Sequence, residues 1–440
     1  MPFKKLGLAP ELLRGIEAAG YTIPTPIQER AIPIALAGGD IVGCAQTGTG
    51  KTASFVLPLL DRLMKSHSAP PTRGRVRALV LTPTRELALQ VDDSVRVYGK
   101  FTRLRSHAIY GGVGYEPQIN ALRRGLDIAI CTPGRLIDLL NRRAIDLSEV
   151  EVLVLDEADR MFDMGFINDV KKIVAKIPDD RQTLLFSATM SPPILELANK
   201  IQRNPVSIEV GSRSNPAESV AQHFYPVSKE LKMELLLHIM ESETMESVLI
   251  FSRTKHGADR IAQRLERKGI NAAALHSDRT QNQRQRALDG FKRGDFNVLV
   301  ATDIAARGID INGISHVINF DTPASPEDYI HRIGRTGRAS MTGDAITFVT
   351  HSEEAQLKRV ERHVGRRFER KSYPGFSYAR RTVEQEYPAI RRSESPSGSN
   401  DRRSSGYGST GGDDRRAGGG YQGERRANTG SYGGDRRRSR

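Results

Sequence analysis

Thirteen residues, DIVGCAQTGTGKT at 40–52, hold the residue types and spacing that phosphate chemistry needs. Ile41–Cys44 is a short apolar run suited to a buried strand. Ala45, Gln46, Thr47, Gly48, Thr49, Gly50, Lys51 and Thr52 follow it. Glycine lets the backbone curl until successive N–H groups point at a phosphate, and a helix starting near Gly50 adds its positive end. Lys51 can place a point charge on the β- and γ-phosphates, and the Thr52 hydroxyl can ligate Mg²⁺. The generic pattern has glycine where this chain has Ala45, so a strict pattern fails by one residue. A bare glycine-rich turn would leave the lysine exposed. A strand before the stretch and Gly50-Lys51-Thr52 at its end favour a phosphate loop, which predicts binding of a nucleoside triphosphate.

A second constellation is VLVLDEAD at 152–159. Four apolar residues ending in Asp156 put a carboxylate at a strand tip, where it can hold Mg²⁺ through water. Glu157 is then placed to take a proton from an attacking water. Acidic pairs are common on surfaces, but less so at the end of a continuous apolar strand. Together the two motifs predict hydrolysis of the triphosphate. A third stretch, HRIGRTGR at 331–338, packs three arginines, a histidine and two glycines into eight residues, a poor composition for a solvated helix face.

These motifs need elements to position them. In the first half, apolar runs at Ile41–Cys44, Ala78–Leu81, 127–131, Val152–Leu155 and 183–186 alternate with amphipathic segments such as 86–98 and 136–141. Strands alternating with helices predict a parallel sheet covered on both faces, with ligands at the carboxyl ends of the strands. The pattern breaks over 204–219, where Pro205, Gly211, Asn215 and Pro216 sit among small polar residues. It restarts at 247–252, 272–276, 297–301, His316–Asn319 and 344–349 as a second α/β domain without a phosphate loop. The predicted division is 1–207 for the first domain, 208–218 for a linker and 219–376 for the second domain. A tail rich in Arg, Gly and Ser occupies 377–440.

Of the 440 residues, 38% are hydrophobic and 27% charged, an ordinary globular composition with a net charge of +14. The charge is unevenly spread, since residues 355–440 carry 21 Lys/Arg against 10 Asp/Glu. Residues 354–370 read as a strongly basic helix. The tail repeats an acid followed by two arginines and is expected to be disordered, because it cannot bury enough apolar surface to offset its chain entropy. A basic extension suits a polyanionic partner. Cys44 and Cys131 lie in apolar runs as small fillers, with no disulfide or zinc pattern, which fits a reducing compartment. The start MPFKKLGLAP lacks an apolar core for a signal peptide and no segment reaches membrane-spanning length, so a cytoplasmic protein is expected.

With Asp156-Glu157-Ala158-Asp159 in place, the chain resembles the DEAD-box ATP-dependent RNA helicases over roughly residues 1–375. The resemblance implies two tandem RecA-like domains, ATP and Mg²⁺ as cofactors, and RNA as partner through sequence-independent backbone contacts. GYTIPTPIQ at 20–28 looks like the family's adenine-reading motif, which makes Gln28 the residue bonding adenine and Phe3 the aromatic stacking on it. PTRELA (Pro83, Thr84, Arg85), Gly111-Gly112 and TPGR (Thr132 to Arg135) match the RNA groove of the first domain, where phosphate contacts position a strand without reading bases. Arg253 in LIFSRT, Gln281, Arg284 and Thr302 match that of the second. Ser187-Ala188-Thr189, with Asp159 and His331, resembles the elements that couple nucleotide state to strand separation. A helix N-cap by Ser187 or Ser191 is a competing reading of those hydroxyls. Gly308 and Asp310 look like the ribose-holding segment. Arg335 and Arg338 look like the pair that reaches across the cleft to the triphosphate. The compact core and Arg/Gly tail are similar to a bacterial RhlE-type helicase, with ribosome-assembly or RNA-decay proteins as candidate tail partners.

Two other classes fit part of the pattern. An ATP-gated RNA clamp or annealing chaperone would share every core motif, and the Arg-rich tail favours annealing. A DNA helicase would share the phosphate loop but not the DEAD sequence and adenine-reading motif, which belong to the RNA-directed branch.

Overall fold

The computed structural model describes residues 2–45, 49–66, 73–210, 220–306, 314–337 and 343–379. Its first sheet has seven strands: β1 (Ile41–Cys44), β2 (Ala78–Leu81), β3 (Ser106–Ile109), β4 (Ile128–Cys131), β5 (Val152–Leu155), β6 (Gln182–Ser187) and β7 (Val206–Glu209). They lie in the order β3-β4-β2-β5-β6-β1-β7, every pair parallel. The central strands, such as ALVL in β2 and VLVL in β5, are buried throughout because helices cover both faces. Phe55, Leu59, Ala78, Val80, Val154 and Phe186 pack on one side of the sheet, and Leu79, Leu81, Leu136, Leu153 and Ile173 on the other. Each of the Val, Leu, Ile and Phe side chains contributes about 1.5–3 kcal/mol on burial.

The second sheet comprises β8 (Val220–Pro226), β9 (Val248–Phe251), β10 (Ala272–Leu275), β11 (Val298–Ala301), β12 (His316–Asn319) and β13 (Gly343–Val349). Its order is β10-β11-β9-β12-β13-β8, again all parallel. Both sheets belong to one compact unit, Met1–Arg380. The two parallel-sheet lobes are those of a tandem RecA-like fold.

Three strands escape the sequence pattern: β3, β7 and β8. All three are sheet edges, and β7 carries the first lobe two residues into the segment predicted as linker. The described linker residues end at 210; 211–219 and the tail from 380 onward lie outside the described residues. The basic helix is also shorter than 354–370. It runs Glu354–Val364 and stops at Gly365, whose φ of 72° puts it in the left-handed region that favours glycine. No helix among the described residues is long and apolar enough to cross a membrane.

Candidate nucleotide site and interlobe cleft

Gly50 stands at φ 90° and opens the helix Lys51–Lys65 directly after β1. A Cβ there would meet Gln28 Nε2 at 2.4 Å, so the position needs glycine for space as well as for backbone angle. Gln28 donates from Nε2 to the Gly50 carbonyl at 3.0 Å and accepts the Thr25 N–H on Oε1 at 2.9 Å. That second bond closes a capping box at the start of the helix Pro26–Leu36. One amide therefore ties the predicted adenine-reading segment to the predicted phosphate turn. Lys51 is buried, and its Nζ has no hydrogen-bond partner among the described residues. An orphaned, buried ammonium at a helix start fits an anionic ligand. Thr52 is half-buried in the first turn of the same helix, and Thr49 precedes Gly50 in the turn. Phe3 is packed among Leu6, Leu8 and Leu12 in the core.

Asp156 follows the tip of β5, where burial pushes its carboxyl up to about 7 against the lowering pull of Lys51. A buried carboxylate this short of counter-charge fits a hard divalent cation. Mg²⁺ needs only one or two protein oxygens and keeps its waters. Among the described residues there is no closed cluster of His, Cys, Asp and Glu ligands. Glu157 holds an unusual backbone for a non-glycine residue, φ 53° and ψ 53°. Burial raises its carboxyl, but Arg160, Lys51 and Arg335 together outweigh burial and hold it below the ordinary range. Arg160, which the sequence motifs do not single out, donates from Nη1 to Glu157 Oε2 at 2.5 Å.

Asp159 turns the other way. Its Oδ2 accepts the Ala188 N–H at 3.1 Å, the Thr189 N–H at 2.9 Å and the Thr189 hydroxyl at 3.1 Å. Ser187 accepts the Asp159 N–H and donates to the Thr189 carbonyl. Ser191 makes no capping bond to the helix Pro192–Ile201. The Ser187 hydroxyl does satisfy a first-turn N–H, but of the helix Ala158–Asp163.

The second lobe faces these carboxylates. His331, from the helix Pro326–Ile333, and Arg335, just past its end, line one open space with Glu157, Asp159, Arg160, Asp163 and Ala188. Burial lowers the His331 imidazole, opposed by Asp159. Arg332, another residue the motifs do not single out, grips Asp303 with Nε and Nη2 at 2.6 and 2.7 Å and donates from Nη1 to Asn319 and the Asp321 carbonyl. It braces the lobe that carries Arg335.

The predicted RNA residues fall at the carboxyl ends of strands. Pro83 follows β2, and Thr84 caps the helix Arg85–Tyr98 by accepting the Leu87 N–H. Arg85 lies so close to Gly112 that a Cβ there would overlap its guanidinium. Thr132 is buried after β4. Arg135 is turned inward, donating to Gln118 Oε1 and the Val113 carbonyl and covering the Tyr115 ring. Gln281 and Arg284 both reach Glu86 of the first lobe. Arg253 donates to Glu353. Thr302, half-buried after β11, begins the turn into Asp303–Ala306. Gln46, Thr47, Gly48, Gly308, Asp310 and Arg338 lie outside the described residues.

A buried lysine at a helix start on one parallel-sheet lobe, with Arg335 of a second lobe facing the nearby Glu157, fits a tandem RecA-like nucleoside-triphosphatase. The family models are more specific. The DEAD/DEAH box helicase model matches residues 25–197, and the helicase conserved C-terminal domain matches 231–340. The DEAD-box ATP-dependent RNA helicase CshA of Bacillus cereus is 44% identical over 372 residues, 84% of this chain and 70% of that protein. RhpA of Helicobacter pylori, also a DEAD-box ATP-dependent RNA helicase, is 42% identical over 82% of this chain and 72% of its own length. Among solved structures, S. cerevisiae Dbp5 bound to RNA and ADP BeF3 matches with a TM-score of 0.75. It is 34% identical and covers 84% of this chain and 95% of that one. The chain belongs to the DEAD-box ATP-dependent RNA helicases.

Proposed function

We propose that this RNA-dependent ATPase works as a two-lobed clamp that unwinds RNA duplexes locally or remodels RNA–protein complexes. In this reading ATP sits on the first lobe, with Gln28 at the base, Ala45 to Thr52 around the phosphates and Gly308 and Asp310 at the ribose. Thr52 and Asp156 would hold Mg²⁺, which would supply charge neutralisation at the phosphates. Glu157 takes the proton of the attacking water. Arg335 and Arg338 supply positive charge from the second lobe as the phosphoryl group leaves. Asp159, Ser187, Thr189 and His331 link that event to the RNA groove, and RNA bridges both lobes through its phosphates.

The observation that carries this reading is the buried Lys51 ammonium, without a hydrogen-bond partner among the described residues, beside Asp156 and Glu157, with second-lobe Arg335 facing Glu157. Closure over one strand bends a duplex and frees the other strand; hydrolysis reopens the clamp. The tail tethers RNA near the clamp by its arginines and tyrosines, in the cytoplasm, the rival reading being an arm that docks ribosome-assembly or RNA-decay proteins.

Strand displacement and strand annealing, each measured with ATP, separate unwinding from the annealing-chaperone alternative. Displacement of an RNA duplex with RNA-stimulated ATP turnover is expected. Annealing alone, or stimulation by DNA equal to that by RNA, contradicts the proposal.

A further inference from the structure

The helix Glu354–Val364 lies beyond the last helicase motif, and the clamp mechanism gives it no part. Its buried side packs Leu357 and Val360 with Phe368 against Phe224 and Tyr329. Its outer side carries Lys358, Arg359, Arg362 and His363, and Arg366 and Arg367 continue the exposed run past Gly365.

The acids of this segment are all engaged elsewhere. Arg370 donates to Glu361 at 2.5 Å and to Glu354 at 3.2 Å, and Lys371 pairs with Glu369 at 3.0 Å. Arg370 itself is held in place by the edge of the second sheet: the Lys371 N–H bonds the Phe224 carbonyl, and Phe368 stacks on Phe224 at 4.3 Å. Among the described residues no carboxylate comes within ion-pair distance of Lys358, Arg359, Arg362, Arg366 or Arg367. The result is a cationic face with its counter-charges drawn to one side. Helix-dipole stabilisation accounts for Arg362 and His363 in the last turn. It does not account for Lys358 and Arg359 in the middle of the helix or for two arginines past its end.

The location adds a second observation. Glu353, the residue before this helix, accepts Arg253 Nη2 on one oxygen and Lys232 Nζ at 2.9 Å on the other. The helix therefore starts beside a residue assigned to the RNA groove and runs away from it for eleven residues, roughly 16 Å.

We propose that this face is a second RNA-binding surface, which holds the phosphate backbone of RNA continuing past the groove at Arg253. It rests on the RNA-clamp reading and extends it. The clamp grips a short stretch, and the face holds the flank so that the same molecule stays near through successive closures.

The test uses the full chain carrying Arg359→Gln, Arg362→Gln, Arg366→Gln and Arg367→Gln together, with a fourfold Arg→Lys variant as the charge-preserving control. Each is titrated with a short single strand confined to the groove and with the same strand extended by a single-stranded flank. For the extended RNA the salt slope of binding should fall by up to about three units, at about 0.7 for each phosphate no longer neutralised. Binding of the short strand and the ATPase rate it stimulates should stay unchanged, and the lysine variant should bind as the unaltered protein does. In the unaltered chain, extended RNA should protect Lys358 from an amine-modifying reagent and the short strand should not, a readout independent of how the variants fold. An unchanged slope with unprotected Lys358 would overturn the proposal and leave an acidic protein partner or a merely solvated face. Equal losses on both RNAs would overturn it too. Failure of the clamp reading shows up separately, as short RNA that does not stimulate ATPase in the unaltered protein.

Discussion

Arg284 of the second lobe sits with Nη2 2.9 Å from a carboxylate oxygen of Glu86 in the first, and both side chains are buried. Gln281 Nε2 reaches the same oxygen at 3.3 Å. Two residues matched to the RNA groove by family pattern are thus joined to an acid that also comes from an RNA-groove motif, PTRELA. Removing one partner of such a pair leaves a buried charge uncompensated, at about 3–5 kcal/mol, whereas removing both costs far less. Glu86→Ala and Arg284→Ala should each weaken RNA-stimulated ATPase, and the double variant should lose less than the sum of the two. A double-mutant cycle on RNA-stimulated turnover checks this; simple additivity would show that the pair does not join the lobes.

Lys51 is buried, and its ammonium has no hydrogen-bond partner among the described residues. Lys51→Ala should abolish both ATP affinity and turnover, because the phosphates lose their point charge. Near-normal RNA-stimulated hydrolysis by that variant would remove the basis for the phosphate turn.

Glu157→Gln separates binding from chemistry. The amide oxygen can still accept Arg160 Nη1, so the local geometry should survive while the base is lost. ATP should bind, hydrolysis should slow, and RNA should dissociate more slowly than from the unaltered protein. Unchanged turnover would assign water activation to another group.

Arg335→Ala tests what the second lobe supplies. ATP binding to the first lobe should persist, and RNA-stimulated turnover should fall by up to roughly 10³–10⁵-fold. Lost ATP binding with normal turnover per bound ATP would reverse the assignment.

Much of this was legible in the sequence, for a physical reason. Strands buried on both faces read as unbroken apolar runs, and β1, β2, β5 and β12 stand where those runs put them. Three of the four edge strands do not read this way. SHAI in β3 mixes half-buried with buried positions, and VSIE in β7 and VAQHFYP in β8 mix exposed with buried ones, because one side of each strand has no neighbour in its sheet. The motifs gave candidate site residues but not the partners that hold them. Nothing near Glu86 indicates that its hydrogen-bond donor lies 195 positions along the chain, and Arg332 differs from Arg335 only in the direction it faces. Arg160 had a local signal, since a spacing of three on a helix brings it to Glu157.

If ATP and RNA close the same clamp, each must tighten the other by an equal factor. The most direct measurement is the RNA dissociation constant of the full chain with and without a non-hydrolysable ATP analogue, paired with the analogue's own constant with and without RNA. A two-lobed clamp predicts matching increases in affinity, both lost in Arg335→Ala. A factor of one in both directions would contradict it.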